Sequence, residues 1–388
     1  MRGRTITSAA LVLLTGLWTA TFTARPTATG RTQLSAAALA PIESIVQDEA
    51  AGGHIPGAVV LIGQGHTIVY RRAFGRRADR PAPALMTVDT IFDLASLTKV
   101  VATTTAVMQL AEQGKLDLDR PVSTYWPEFK SAGKSGITVR ELLTHYSGLK
   151  ADLDLGRPWS GYGTAMAKLI ADRPVFPAGT RYLYSDENFE VLGEVVQRVS
   201  RLPLDRYCAQ QIFQPLGMNE TRFRPSPEQA NRIAPTGAAG LGIVNDPTAA
   251  RMGGVAGHAG LFSTADDLAI FGQMLLAGGT RDGARVLSDG SIARMVQPQS
   301  PPAAARLRGL GWDLAAPLAS NREGLVPVGS FGHTGFTGTM MWVDPTSNTY
   351  VIVLTNRTYP DGRGDAQPLR ARILDLVSAA LGPATPAS

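Results

Sequence analysis

Cysteine, histidine and lysine are scarce in this chain, and each shortage removes a class of chemistry. One cysteine, Cys208, stands among 388 residues, so no disulfide can close within the chain and no structural zinc site can rest on thiolates. It reads as a small buried apolar residue rather than a nucleophile. The five histidines, His54, His66, His145, His258 and His333, form no pair at metal-ligand spacing, and H-E-x-x-H is missing, so no metal is expected. Lysine occurs only at Lys99, Lys115, Lys130, Lys134, Lys150 and Lys168. The formal charge of +5 therefore comes from arginine, scattered among acidic residues, which is a solvated surface and not a nucleic-acid stripe. No G-x-S-x-G elbow, no G-x-x-x-x-G-K-[ST] and no βαβ-placed G-x-G-x-x-G occurs, so a nucleophile-elbow hydrolase and nucleotide binding both lack support. No repeat or low-complexity segment is found.

With 44% hydrophobic residues the chain can bury a sizeable core as one large or two intimately packed domains. Residues 1–24 open with Arg2 and Arg4 and continue uncharged through TITSAALVLLTGLWTATFTA, the layout of a secretory signal peptide. A run of roughly 20 uncharged residues is also long enough to stay as a membrane anchor. Either way the mature protein is expected outside the cytoplasm, secreted or in the periplasm and cell envelope. Residues 25–35 read as a linker.

Beyond it, LAPIESIVQDEAAGG has helical spacing, and PGAVVLIGQGHTIVYRRAFG gives two β-rich runs around Gly63-Gln64-Gly65. A second β pair, TGTMMWVD and TYVIVLTN, flanks the turn Pro345–Asn348 before a last helical pattern, PLRARILDLVSAALG. The middle is mostly helical pattern and loop. Strands at both ends predict that the ends of the chain meet in one sheet, residues 36–90 with 296–388, and that 91–295 forms an inserted helical subdomain.

Three S-x-x-K pairs occur: Ser96/Lys99, Ser131/Lys134 and Ser147/Lys150. A serine hydroxyl is a poor nucleophile until a base takes its proton, and a helix brings residues i and i+3 together. The latter two pairs contain glycine in loop-like sequence. Only Ser96 opens a helical pattern, TIFDLASLTKVVATTTAVMQLAEQG, in which Asp93 can cap and Gly114 can end the helix. Ser96 then lies in the first turn, where its own amide and the positive helix end favour developing negative charge. Lys99, among apolar neighbours, is expected to have a lowered pKa and to serve as a proton acceptor. Further candidates follow in YLYSDENF, with Tyr184 and Asp186 ahead of a helix, and in FGHTGFTGT, with His333, Thr334 and Gly335 on a strand edge. His258, in the glycine-dense GGVAGHAGLF, and His145 read first as packing or turn residues.

The order Ser96-x-x-Lys99, Tyr184-x-Asp186, His333-Thr334-Gly335 resembles the serine β-lactamase and penicillin-binding protein family: class C β-lactamases, D-alanyl-D-alanine carboxypeptidases and related esterases. Nearly the whole mature chain fits, including ITVRELLTHYSGL, PAGTRYLYSDENFEVLG and QPLGM. The resemblance implies an antiparallel β-sheet flanked by helices beside an inserted helical domain, with the site between them and no cofactor or metal. It implies Ser96 as nucleophile, Lys99 as its partner, and Tyr184, its pKa lowered beside Lys99, as proton shuttle to the leaving group. It also places His333, Thr334 and Gly335 along the substrate strand and the Phe336 N–H as second oxyanion donor.

Two positions depart from the β-lactamase pattern. Asp186 stands where asparagine is common; a carboxylate only accepts, so it should hold Lys99 as an ammonium. His333 stands where many relatives have lysine and carries little charge at neutral pH. Both favour a small ester or amide substrate, including a D-alanyl cell-wall fragment. A β-lactamase or D-alanyl-D-alanine carboxypeptidase, and a non-catalytic penicillin- or peptidoglycan-binding module, are the alternatives.

Overall fold

The computed structural model describes residues 33–80, 82–237, 240–301, 304, 306–314 and 330–382. The leader and most of the linker lie outside them. Eleven strands are described: β1 (Gly57–Gln64), β2 (Thr67–Ala78), β3 (Ala84–Leu85), β4 (Phe92–Asp93), β5 (Arg222–Phe223), β6 (Leu261–Ser263), β7 (Thr280–Arg281), β8 (Ala284–Arg285), β9 (Phe331–Thr334), β10 (Met340–Asp344) and β11 (Thr349–Thr355). Six make one antiparallel sheet in the order β3-β2-β1-β11-β10-β9. The two ends of the chain meet at its centre, where Ala58 to Gln64 pair with Thr355 to Thr349.

Both hairpins expected from sequence form, around Gly65-His66 and at 345–348, where Asn348 takes φ +58°. Gly63 is required by packing, since a Cβ there would meet the Tyr350 ring at 2.1 Å.

β1 and β11 are apolar without interruption because both sheet faces are covered, and period-two alternation sorts their side chains. Ala58, Val60, Ile62, Met340, Val351 and Val353 pack with the helices Ile42–Ala51 and Gln367–Leu381. Val59, Leu61, Met341, Ile352 and Leu354 join a second, larger core with the helix Ala265–Leu276 and the helical segments of the middle of the chain. A small sheet, β4-β6-β5, ties the segment before Ser96 to Leu261–Ser263. β9 is the last strand of the large sheet; Asp313 bridges its outer side at Gly332, and the strand packs against the Ala95–Leu97 turn that carries Ser96. Among the described residues no helix is long and apolar enough to cross a membrane.

Candidate active site

β4 ends at Asp93, whose carboxylate accepts the Ala95 N–H at 2.9 Å and the Asn245 N–H at 2.7 Å. Ala95 then adopts φ +47°, a left-handed conformation that costs a non-glycine residue about 1–3 kcal/mol. That kink ends the strand and starts a 3₁₀ turn, Ala95–Leu97, which runs into a π-helical stretch, Lys99–Thr104, and an α-helix, Thr105–Glu112. The expectation of one α-helix capped by Asp93 is corrected here. Asp93 belongs to a strand, and its carboxylate fixes the kink instead.

Within this segment Lys99 Nζ donates to Ser96 Oγ at 3.1 Å and to the His258 carbonyl at 3.1 Å, and it pairs with Asp186 Oδ1 at 2.6 Å. Its ammonium is fully buried and also faces the Tyr184 ring, 5.0 Å from the centroid. Burial alone pulls the Lys99 pKa down, but Asp186 and then the Tyr184 oxygen outweigh it, and the net shift is upward. The sequence-based expectation of a lowered pKa is therefore reversed. The other expectation, that Asp186 holds Lys99 as an ammonium, is the one the geometry agrees with, because the fold delivers that carboxylate from 87 positions later.

Tyr184 is corrected in the same sense. Burial raises its phenol pKa, and the pull of Lys99 and of the Ser96 hydroxyl only partly offsets that. At neutral pH the resting trio is a hydroxyl, an ammonium and a phenol.

The positions of Tyr184 and Asp186 follow from one cap. Ser185 accepts the Asn188 N–H at 3.2 Å and starts the helix Asp186–Ser200, so Tyr184 precedes it and Asp186 opens its first turn. His145, just past the helix Val139–Leu143 and at φ +61°, stacks under Tyr184 with ring centroids 4.4 Å apart. Its Nδ1 accepts the Ser185 N–H at 3.0 Å, and burial holds its pKa well below normal, so it is a neutral platform for the phenol.

Opposite Ser96, the turn after β9 is stitched to the nucleophile's own segment. Thr337 donates to the Asp93 carbonyl at 2.7 Å and Thr339 to the Leu94 carbonyl at 2.9 Å. Gly335 has no room for a side chain: a Cβ would stand 2.1 Å from Thr339 Oγ1 and 2.4 Å from the Leu94 oxygen. Arg370, buried in the last helix, donates to the Gly335 carbonyl at 2.7 Å and to the Thr339 carbonyl at 2.9 Å. In a planar trans peptide the N–H points away from the C=O. Anchoring the Gly335 carbonyl therefore aims the Phe336 N–H in the opposite direction. Arg357 holds the Phe336 carbonyl at 2.6 Å and lies under the ring, which is 65% exposed. Among the described residues neither the Ser96 nor the Phe336 N–H has an acceptor.

His333 is buried on β9. Its Nδ1 donates to the Thr334 carbonyl at 2.8 Å, and burial lowers its pKa to about 4, so it is neutral. Ser96, Tyr184, His333, Thr334, Gly335 and Phe336 all line one cleft of about 610 Å³. Arg306, stacked on Tyr182 at 4.8 Å, lines its wall.

The other two Ser-Lys pairs are structural. Ser131 and Lys134 both donate to the Ile170 carbonyl; Ser147 bonds Asn188 and Lys150 pairs with Asp172. Cys208 is buried, and burial raises its thiol pKa. Among the described residues no group of three or more His, Cys, Asp or Glu side chains is arranged to hold a metal ion.

The family model described as Beta-lactamase matches residues 42–375. The chain belongs to this family. A Salmonella agona (strain SL483) protein, named as a proposed D-alanyl-D-alanine carboxypeptidase, is 30% identical over 82% of each chain. In structure, this β-lactamase-family chain is similar to EstCE1, described as a hydrolase with promiscuous acyltransferase activity, at TM-score 0.72 and 25% identity, covering 88% of this chain and 99% of that one. It shares its fold with a penicillin-binding protein homologue from Caulobacter crescentus, at TM-score 0.73 and 23% identity over 91% of this chain and 100% of the other. The resemblance drawn from sequence is borne out, and with it the antiparallel sheet flanked by helices and the assignment to serine hydrolases of the β-lactamase type.

Sequence reasoning missed three contributors to the geometry of this family member: the His258 carbonyl on Lys99, and the two arginines behind Gly335 and Phe336. The glycine density of GGVAGHAG was the one available signal. Gly257 touches the Phe189 carbonyl so closely that a Cβ would stand 1.9 Å away, and its own carbonyl accepts from Thr103 at 2.7 Å.

Proposed function

We propose that Ser96 is the nucleophile of an exported hydrolase that forms an acyl-enzyme with small esters or amides and releases it to water. The single observation that carries this reading is the Lys99 ammonium, buried and held at once by Ser96 Oγ, Asp186 and the His258 carbonyl. A lysine placed only for stability has no need of a serine hydroxyl.

The substrate carbonyl oxygen would sit between the Ser96 and Phe336 N–H groups, which stabilise the oxyanion as it forms. Lys99 becomes a base once it gives up a proton, to Asp186 at 2.6 Å or to solvent as pH rises. The neutral amine then takes the Ser96 proton while Oγ bonds to the carbonyl carbon. Tyr184 hands its phenolic proton to the leaving oxygen or nitrogen and is reprotonated from Lys99 as the tetrahedral adduct collapses. Water repeats the sequence on the acyl-Ser96 ester.

Two features separate this site from β-lactam specialists. Asp186 cannot donate to a substrate amide carbonyl and is committed to Lys99, and neutral His333 offers no cation to a substrate carboxylate. A D-alanyl-D-alanine carboxypeptidase is the second reading, favoured by Arg306 on the cleft wall, whose side chain is 36% exposed.

Turnover of p-nitrophenyl acetate, a D-alanyl-D-alanine peptide and nitrocefin by wild type and Ser96→Ala tests the assignment. Ester turnover well above nitrocefin turnover, lost in Ser96→Ala, is expected. Preferred nitrocefin hydrolysis overturns the substrate class, and full activity in Ser96→Ala overturns the nucleophile. Export rests on the leader at 1–24 and is read by fractionating cells that express the full chain.

A further inference from the structure

Lys99 Nζ has partners of two kinds. The His258 carbonyl and the Asp186 carboxylate only accept, whereas the Ser96 hydroxyl and the Tyr184 phenol can also give a proton. An ammonium has three N–H donors; the amine left when one proton departs has two, and a lone pair. With the acceptor-only partners drawing its N–H groups, that lone pair is left facing the hydroxyls. A His258 carbonyl turned elsewhere would free the amine to rotate, to donate to Ser96 Oγ and to aim its lone pair away from the proton it must take.

The local chain does little to hold that carbonyl. It lies in GGVAGHAG, residues 253–260, where Gly253, Gly254 and Gly260 all take positive φ. Half of the stretch is glycine, so its own side chains restrict the backbone little. Contacts from outside restrict it instead. Thr103 donates to the Gly257 carbonyl at 2.7 Å and Thr98 accepts the Leu261 N–H at 3.1 Å, both from the segment that carries Lys99. A third contact comes from the His258 side chain, fully buried, with Nε2 2.9 Å from Asp246 Oδ1. Nδ1 stands 3.5 Å from Glu190 and has no hydrogen-bond partner among the described residues, so Asp246 is the anchor.

Asp246 is itself tied to the nucleophile. It caps the helix Pro247–Arg251 by accepting the Ala249 N–H at 2.8 Å, and the preceding Asn245 N–H donates to Asp93 at 2.7 Å. Asp93 in turn holds the Ala95 N–H at the kink before Ser96. The contacts close a circuit from Ser96 through Lys99, His258, Asp246, Asn245 and Asp93 back to Ala95 and Ser96. Of these residues only Ser96 lines the substrate cleft, so a change at Asp246 leaves the cleft wall in place.

We propose that the contact between His258 and Asp246 is a positioning device: it fixes the His258 carbonyl and so points the lone pair of the neutral Lys99 amine at the Ser96 hydroxyl. The inference rests on the proposed function, in which Lys99 takes the Ser96 proton. His258 and Asp246 are positioning residues and touch no substrate.

The test is the rate of Ser96 phosphonylation by a fluorophosphonate over a range of concentrations, below the thermal transition of every variant. Asp246→Ser keeps a capping oxygen for Ala249 but is too short to reach His258, and Asp246→Asn keeps both contacts. In Asp246→Ser the maximal rate should fall about ten- to a hundredfold with the half-saturating concentration unchanged, while Asp246→Asn stays near wild type. His258→Leu should fall as far as Asp246→Ser, and the double variant no further, because both remove one contact. If Asp246→Ser does not fold, His258→Leu against His258→Gln, whose amide can still donate to Asp246, makes the same comparison. A wild-type rate in Asp246→Ser, equal slowing in Asp246→Asn, a change confined to the half-saturating concentration, or effects that multiply in the double variant overturn the inference. Failure of the proposed function looks different: wild type itself takes no label at Ser96, and the inference falls with it.

Discussion

Replacing Asp186 by asparagine removes a negative charge 2.6 Å from Lys99 Nζ at nearly constant shape. Two unit charges at that distance attract by roughly 6 kcal/mol at an effective dielectric constant of about 20. The Asp186 side chain is 21% exposed, so solvent screens part of this. If only a third survives, about 2 kcal/mol, the shift in Lys99 exceeds one pH unit at 1.36 kcal/mol per unit. Without the carboxylate, burial dominates and favours the neutral amine. Because acylation needs that amine, the rising limb of kcat/KM against pH should move at least one unit toward acid.

Stability carries the opposite sign in the two proteins. In wild type the raised Lys99 pKa stabilises the fold at every pH below the value of an unfolded lysine, about 10.4, and the contribution is lost only as pH rises through the folded value. In Asp186→Asn a depressed folded pKa costs stability at low pH and the loss shrinks as pH rises. An unpaired buried ammonium costs about 3–5 kcal/mol, so the variant's melting temperature should fall further below wild type at pH 5 than at pH 9. The assay is p-nitrophenyl acetate hydrolysis from pH 5.5 to 9 at constant ionic strength, with Ser96→Ala as the background, beside thermal melts at pH 5 and 9. A limb that stays in place, or moves toward alkali, refutes the reasoning.

Three further outcomes follow from the geometry. Arg370→Ala frees the Gly335 carbonyl and with it the aim of the Phe336 N–H, so kcat should fall about 10²-fold with KM little changed; partial rescue by millimolar guanidinium separates positioning from general damage. Gly335→Ala drives a methyl into Thr339 and the Leu94 carbonyl, so activity should be lost with a melting temperature lowered by several degrees, while an active, stable variant would show that the turn is not packed as described. His258 is raised to about 9 and Asp246 lowered to about 2 by their mutual pairing. Their contribution to stability should be whole from about pH 4 to 6.5, fading as pH rises through 9 or falls through 2; His258→Ala should flatten that profile in thermal melts and cost about 3–5 kcal/mol within the window.

What sequence alone revealed divides along a physical line. The Ser96 and Lys99 pairing was legible because helical geometry joins residues three apart, and the hairpins were legible because alternation and turn residues are local signals. Tyr184 and His333 came only through the order of motifs. For Lys99 the sequence offered two opposed pulls, burial toward the amine and Asp186 toward the ammonium, and which one wins depends on a Lys99–Asp186 distance that no local pattern encodes. Arg370 donates to the Gly335 carbonyl across 35 positions and Lys99 donates to the His258 carbonyl across 159, and a main-chain acceptor leaves no trace in residue type.

The most direct test of the central claim, that the Ser96 hydroxyl is the activated group, is intact-mass and peptide mapping after exposure to a fluorophosphonate. One adduct per chain, on the peptide bearing Ser96 and missing in Ser96→Ala, is the predicted result. An adduct that maps elsewhere, or survives in Ser96→Ala, contradicts it.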